Sequence, residues 1–574
     1  MPGPTTRASP PVSGNRGQRQ TAFETTALVI NHVLYLSTPA SRVIALEPES
    51  GKELWRFDPQ TKVTGAIKYR AHRGVAYWPG DLRTPARILF GTLDGRLIAL
   101  NAQTGQKVPG FGDEGEVNLR LGVAENFPDA VYAVTSPPAT YHDLVITGAE
   151  VPESPGHGPR GDVRAWNIHT GKLEWTFHTV PLPGEAGHQT WEGDGWQNRT
   201  GVNVWSTMTV DEQRGVVFAA IGSPAYDFYG GDRRGANLFG DCLVALDARP
   251  GKPMWHYQFV HHDIWDYDPP AAPALVTVNR SGSQIPAVVQ ITKMGLVFIL
   301  DRRNGKPVFP VQETPVPQSD VPGESSWPTQ PVPLKPPSLS RSSMSKDDLS
   351  DVTPESHRAC AEMFSKLENK GRYTPYGVKP TVVFPGTLGG ATWSGLSFNP
   401  KLGYGYVNTN EAGAIGQMVP RPAGSPVSYS RTSPFGEYAR FWDANLWPCQ
   451  KPPWGFLTAI NVNTGEFAWR VPLGINDELE AKGVHNTGAL NIGGSIATAG
   501  GLVFIAATND NRLRAFEART GRELWSTILD ASGHATPSTY LGRDGKQYVV
   551  IATGGGGFFG SKPADTFVAF RLRD

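Results

Sequence analysis

Residues 261–270 read "HHDIWDYDPP". Three carboxylates, Asp263, Asp266 and Asp268, fall within six residues and are flanked by two histidines, a tryptophan and a tyrosine. Three kinds of chemistry are open to them. Aspartates can close turns by accepting backbone N–H bonds. They can ligate a hard divalent cation. One of them can act as a general base beside such an ion. Further along, Lys293 stands inside the apolar run "AVVQITKMGLVFIL". An ammonium in a stretch built for burial is costly unless it is paired, so Lys293 is a candidate partner for one of these carboxylates. Asp263 and Asp268 read as turn and cap residues, His261 and His262 as structural orienters, and Asp266 as the candidate base.

The elements that must hold these groups are short. Gly (65) and Pro (50) make up about a fifth of the 574 residues, and there are 16 Trp. That composition suits tight turns and large buried rings rather than long helices. Lys plus Arg (53) equals Asp plus Glu (53). With no charge block in the chain, nothing points to nucleic acid or an anionic membrane as partner. No run of eighteen apolar residues exists, so no transmembrane segment is expected. Residues 1–21 read as a flexible leader without the apolar core of a secretory signal. The three cysteines, Cys242, Cys360 and Cys449, contain no C-x-x-C. The chain therefore lacks a zinc site, a disulfide framework and a fused c-type haem signature.

Internal repetition organises the chain. Seven segments share one pattern, an apolar β run, a polar turn with Gly, and usually Trp: "IALEPESGKELW", "IALNAQTGQKV", "RAWNIHTGKLEW", "VALDARPGKPMW", "FILDRRNGKPVF", "TAINVNTGEFAW" and "RAFEARTGRELW". An eighth, "TFVAFRL", stops before its turn. Each copy reads as a hairpin with Gly at a positive φ and the Trp on the following strand. Three to four strands per copy, repeated radially, give an all-β, eight-bladed β-propeller over residues 22–574. The last blade has three strands, and the Trp rings sit between blades. Blade six is interrupted: it uses "ATWSGLSF", "YGYVNTN" and then "GFLTAINV". The long segments 310–375 and 411–455 read as loops capping one face.

With the repeat in place, "HHDIWDYD", "LDRRNGKP", "PCQKPPWG", "IATAGGLVFIAATNDNRLRA" and "DGKQYVVIATGGGGFFGSKPAD" resemble the pyrroloquinoline quinone (PQQ)-dependent dehydrogenases over nearly the whole chain. The resemblance is to the propeller domain of the membrane-bound glucose enzymes, without their anchor. It implies oxidation of a sugar, polyol or bulky secondary alcohol, with hydride passing to PQQ. It implies Ca²⁺ as a second cofactor, a periplasmic location, and electrons leaving to an external acceptor such as cytochrome c or a quinone. It implies Asp266 as base and Lys293 as the cation beside the quinone oxygens. Trp205 in "GVNVWS" becomes the ring platform. Glu24, Arg73, Thr135, Thr147, Gly148 and Asn408 become cofactor contacts. Glu150 becomes a metal ligand with Asp266, and Ser223 stands where the alcohol enzymes have a metal-binding asparagine. Cys360 and Cys449 have counterparts in the glucose branch, which implies that they approach each other as a disulfide. Two departures are visible. The vicinal cysteine pair of the alcohol enzymes is missing, and Trp78 replaces a histidine of the glucose enzymes.

On chemical grounds the resemblance is coherent. A flat tricarboxylate needs an aromatic face, fixed cations and a hard ion held by oxygen. A carboxylate beside a cation is expected to stay ionised and available as a base. Two other classes compete. A non-enzymatic scaffold of the outer-membrane assembly type shares the repeat, but has no need of Asp266, Lys293, Trp205 and Arg73 in this order. A glycoside hydrolase would need a carboxylate pair spanning a sugar bond, and no such pair is identifiable.

Overall fold

The computed structural model describes residues 20–62, 69–434 and 439–572, so most of the leader expected over residues 1–21 lies outside the described residues. Its last residues open a strand, Gln20–Ala22, which pairs in parallel with Tyr69–Ala71. Each repeat copy supplies neighbouring strands of an antiparallel sheet. The first sheet runs Leu28–Ile30, Val33–Ser37, Val43–Leu46, Glu53–Phe57, bonded in chain order. Four-stranded sheets of the same up-and-down kind begin at Ala76, Ala139, Thr209 and Ser495. The sheet Ser397–Asn399, Tyr404–Asn410, Gly455–Asn461, Glu466–Pro472 takes its third strand from beyond the 411–454 insertion, as the sequence pattern required. Two further sheets of the repeat, Ala274–Arg280 to Val297–Asp301 and Ser538–Leu541 to Thr566–Arg571, have three strands each.

These sheets stand side by side in a ring. The first strand of one touches the first strand of the next, from Ala76–Trp78 round to Ser495–Ala497. The ring closes where Leu34 and Leu36 share a core with Leu513, Val550 and Ile551, and where the Tyr540 hydroxyl donates to the Pro48 carbonyl (2.7 Å). The apolar core is therefore divided among the gaps between sheets. The axis is left free for polar groups.

The repeat's Gly and Trp meet across four of the gaps. Trp175 donates its indole N–H to the Ala248 carbonyl (3.1 Å) and lies against Gly251, at φ 68°, where a Cβ would fall 2.3 Å from the ring. Trp55 pairs in the same way with Gly105, Trp255 with Gly305 and Trp469 with Gly521. In "FILDRRNGKPVF" the ring facing Gly465 is Phe309. Glycine is thus needed twice at this position, for its dihedral and for the space it leaves. Trp525 is 42% exposed, and Gly51 has open space beside it, so these two positions of the repeat make no such contact.

The long insertions fold as a cap with secondary structure of its own. Val311–Pro315 pairs with Thr329–Pro333, and Thr381–Val383, Ala414–Pro420 and Tyr429–Thr432 form a small sheet. A helix, Pro354–Phe364, is capped by the Thr353 hydroxyl and has Pro at its start, where the missing N–H costs nothing. Cys360 on this helix is disulfide-bonded to Cys449 with Cα atoms 5.2 Å apart. The bond ties together a satellite core that includes Leu349, Phe384 and Phe441.

Gly251→Ala should destabilise the protein by more than about 2 kcal/mol, since it strains φ and drives a methyl into Trp175; an unchanged denaturant midpoint would contradict the docking account. Replacing both Cys360 and Cys449 by Ser should lower the melting temperature. A loop of this length gives an entropic contribution of about 4–5 kcal/mol, and the change should appear as faster proteolysis within the cap.

Candidate active site

The loop 263–268 is built around Asp263. Its carboxylate is buried and accepts the backbone N–H groups of Trp265 (2.9 Å) and Tyr267 (2.7 Å), the turn-forming role expected of it. Trp265 is fully buried, stacks on Tyr267, and donates to the Thr374 carbonyl of the cap (3.0 Å). The Tyr267 hydroxyl reaches the Pro385 carbonyl (2.9 Å). His262 is fixed by Gly235 and Asn237, and His261 by Gln258 and Gln330, so both histidines act as orienters. Between the anchored rings Asp266 adopts φ 64°. A non-glycine residue there is strained, and the anchors on both sides hold the strain in place.

Asp266 meets Lys293 as expected, Nζ to Oδ1 at 2.6 Å. The Lys293 stem runs against Gly389, where a Cβ would lie 2.6 Å from Cγ, and the Lys293 carbonyl accepts the Gly390 N–H. The structure corrects the reading of Asp268. It is not simply a turn residue: its Oδ1 accepts a second Lys293 bond (2.8 Å), and its Oδ2 accepts the Trp205 indole N–H (2.7 Å). One carboxylate thus joins the cation to the aromatic ring. Two carboxylates hold Lys293 charged well above the usual range against its burial. The expectation that Asp266 simply stays ionised also changes. Burial pushes its carboxyl well up, and the nearby Asp268 and Glu153 add to this while Lys293 opposes it.

Around the axis the other candidates are stitched together by backbone bonds. Thr26 N–H donates to the Arg73 carbonyl, Arg73 N–H to the Thr135 carbonyl, and the Ser136 hydroxyl to the Trp205 carbonyl (2.8 Å). Arg73 pairs with buried Glu24 (3.0 Å) and donates to the Thr135 hydroxyl (3.3 Å). Its guanidinium lies 5.1 Å from the Trp205 ring centroid and 5.1 Å from that of Trp393. Glu150 is pushed to about 7, chiefly by burial, with Arg73 opposing. Glu24, Arg73, Thr135, Glu150 and Trp205 therefore form one cluster, joined through Asp268 to Lys293 and Asp266.

Other expected residues serve the scaffold. The Thr147 hydroxyl accepts the Trp166 indole N–H (3.1 Å). A Cβ on Gly148 would meet the Val204 carbonyl at 2.1 Å, so Gly148 is required by packing. Asn408 spends its donors on Asn491 (2.7 Å) and the Gly493 carbonyl (3.0 Å). The Ser223 hydroxyl lies between Asp263 (2.6 Å) and Asp241 (2.9 Å), and neither of these bonds goes to Glu150 or Asp266. Among the described residues no three His, Cys, Asp or Glu side chains converge as a ready-made metal site. Trp78 donates to the His142 carbonyl (2.9 Å) and packs edge-on to His169 between sheets.

The site contains groups that the sequence reading passed over. Glu24, Thr135 and Trp205 each stand four residues before the first strand of their sheets, which open at Leu28, Ala139 and Thr209. The same offset before Ser397 and Ser538 selects Trp393 and His534. Asp227 is buried, and its carboxyl is pushed well up by burial, Glu153 and Asp266.

A ring of sheets with docked tryptophans, holding a cation, paired carboxylates and an aromatic ring at its axis, is the class of a propeller oxidoreductase. Residues 6–549 match the family model "PQQ: Glucose/ethanol/alcohol dehydrogenase, beta-propeller domain", and the chain belongs to this PQQ-dependent dehydrogenase family. It is 34% identical to quinoprotein glucose dehydrogenase A of Acinetobacter calcoaceticus over 97% of this chain and 74% of the relative. It is also 34% identical to the quinate/shikimate dehydrogenase (quinone) of Acinetobacter baylyi, over 92% and 70%, and to the glycerol dehydrogenase large subunit of Gluconobacter oxydans, over 96% and 79%. The solved quinohemoprotein alcohol dehydrogenase from Comamonas testosteroni superposes with a TM-score of 0.70 at 26% identity, over 96% of this chain and 75% of that one. The protein is a quinoprotein oxidoreductase that acts on hydroxyl groups with PQQ as cofactor. Nothing supports the scaffold alternative.

Asp268→Ala should weaken cofactor binding and lower kcat, each by about 10-fold or more, because a buried indole N–H and an ammonium each lose an acceptor. Asp268→Asn retains an acceptor for Trp205. It should recover cofactor affinity without recovering kcat, and recovery of both in a titration and a rate assay would remove the coupling role.

Proposed function

We propose that this enzyme oxidises a polyol, sugar or bulky secondary alcohol to the carbonyl or lactone, using PQQ and a divalent ion, Ca²⁺, on an eight-bladed propeller formed by residues 22–574. The blades are the sheets opening at Leu28, Ala76, Ala139, Thr209, Ala274, Ser397, Ser495 and Ser538. The observation that carries the metal is a pair of buried carboxyls, Glu150 and Asp266, whose proton affinities burial raises, that of Glu150 to about 7. A divalent cation beside them would favour their ionised forms and suits oxygen donors. Glu150 and Asp266 would hold it, with further oxygens from the cofactor. The Ser223 hydroxyl, already engaged by two carboxylates, contributes least.

The residues fit PQQ as well. The Trp205 ring offers an aromatic face, and Arg73, Thr135 and Glu24 form the polar border beside it. Bound PQQ supplies the hydride acceptor. Asp266, with its proton affinity raised by burial, takes the hydroxyl proton of the substrate. Lys293 remains an ammonium and stabilises negative charge growing on an oxygen beside it. Asp268 keeps Lys293 and Trp205 in register. The cap, anchored on Trp265 and Tyr267, excludes water and shapes the substrate pocket. Three relatives of equal identity carry names of three different substrates, so the reaction type is held in common while the substrate varies. The Cys360–Cys449 disulfide suits an oxidising compartment. This supports a periplasmic location, with electrons passed to an external cytochrome c or quinone.

Dye reduction should require both PQQ and Ca²⁺. Stripping the ion with a chelator should weaken PQQ binding by more than about 100-fold in a calorimetric titration, and metal-independent binding would sink the metal argument. Asp266→Asn should cut kcat by about 10²–10⁴-fold while PQQ still binds; loss of binding in parallel with rate would remove Asp266 from the role of base.

A further inference from the structure

The His534 side chain is 1% exposed, yet neither ring nitrogen has a hydrogen-bond partner. Trp393 is also buried, with its indole N–H unbonded. Among the described residues other buried side chains also have a polar atom without a partner, but His534 alone has two. Leaving such groups unpaired is costly, so His534 and the adjoining Trp393 call for an explanation. Their place in the fold supplies one. Both occupy the position, four residues before the first strand of a sheet, that elsewhere carries Glu24, Thr135 and Trp205. The two segments adjoin. The Ser394 hydroxyl, next to Trp393, donates to the Gly493 carbonyl, and Gly493 packs on the backbone of His534 and Ala535. Trp393 faces Arg73. His534 packs T-shaped against Phe559 in the Gly-rich loop 554–560, and Arg440 from the cap also lies over the Phe559 ring. The two unbonded groups therefore stand on the axial ring beneath the cap.

We infer that His534 and the Trp393 indole N–H form a further hydrogen-bonding edge of this site and bind an oxygen function of its ligand. An uncharged imidazole offers one donor and one acceptor, whereas the indole offers a donor only. Together they suit a carboxylate or hydroxyl oxygen. Burial holds His534 near 4, so it is uncharged at neutral pH and binds by hydrogen bonds rather than by charge. That oxygen belongs either to a carboxylate of the cofactor or to a hydroxyl of the substrate. The inference rests on the PQQ reading above.

The test compares wild type, His534→Phe and Trp393→Phe, each substitution keeping an aromatic ring while removing the nitrogen. PQQ affinity is measured by calorimetric titration with Ca²⁺ present, and KM by dye reduction at saturating PQQ. A rise in the PQQ Kd of about 10-fold or more assigns the contact to the cofactor. A similar rise in KM with the Kd unchanged assigns it to the substrate. Both constants within twofold of wild type, with near-UV circular dichroism preserved, overturn the inference while the PQQ reading stands. Wild type failing to bind PQQ overturns that reading and this inference with it. Should His534→Phe lose its folded spectrum, His534→Leu and Trp393→Phe carry the same measurement.

Discussion

An ammonium buried between two carboxylates sets the terms for the rest of the site. Lys293 could not be carried into the interior alone, because desolvation would strip its proton or unfold the turn that carries it. Asp266 and Asp268 offset that cost by accepting its hydrogen bonds. The arrangement also makes the three side chains interdependent. Asp268 cannot shift toward Lys293 without drawing on its bond to the Trp205 indole, so the aromatic face and the charged pair keep one geometry. Asp266 is constrained from its own backbone by the turn around Asp263.

Such a triad needs a frame that leaves its centre unfilled, and the divided core provides one. The gaps between sheets carry their own apolar clusters, and five of them set a ring against the repeat glycine. No side chain is needed at the axis for stability. The segment before each first strand can therefore present whatever residue the chemistry uses. Glu24, Thr135 and Trp205 precede the first, third and fourth sheets at one repeat position and are nevertheless an acid, an alcohol and an indole. The structural demands fall on the glycine and tryptophan far from the axis, and the chemical demands fall on a position that the packing leaves open.

This division explains what was legible in the sequence. The repeat was legible because its Gly and Trp answer to packing and must recur, and the interrupted sheet and the three-stranded final sheet followed from it. Asp266 and Lys293 were legible because a charge in an apolar run and a carboxylate beside a tryptophan stand out. Asp268 was misread: composition cannot separate two aspartates two residues apart, and only the direction of a side chain shows which one reaches Trp205. Thr147, Asn408 and Ser223 have the right chemistry for a cofactor edge, and the Thr147 and Ser223 hydroxyls and the Asn408 amide nitrogen also meet Trp166, Asp241, Asp263 and Asn491. Trp393 and His534 were hidden for another reason. Their offset from the first strand becomes visible only when the strand boundaries are known.

The cap completes the argument about rigidity. Trp265 and Tyr267 bracket Asp266, and both are bonded to cap carbonyls, at Thr374 and Pro385. Asp266 is thus held from two sides, by the ring below and by the cap above. The cap is in turn closed on itself by Cys360 and Cys449. Its strands pair with one another rather than with the ring sheets, so they can vary in sequence without disturbing the blades. Variation in the cap can reshape what reaches Asp266 only as far as the carbonyls that receive Trp265 and Tyr267 stay in place. That limit separates the part of this protein free to choose a substrate from the part that must stay fixed to oxidise one.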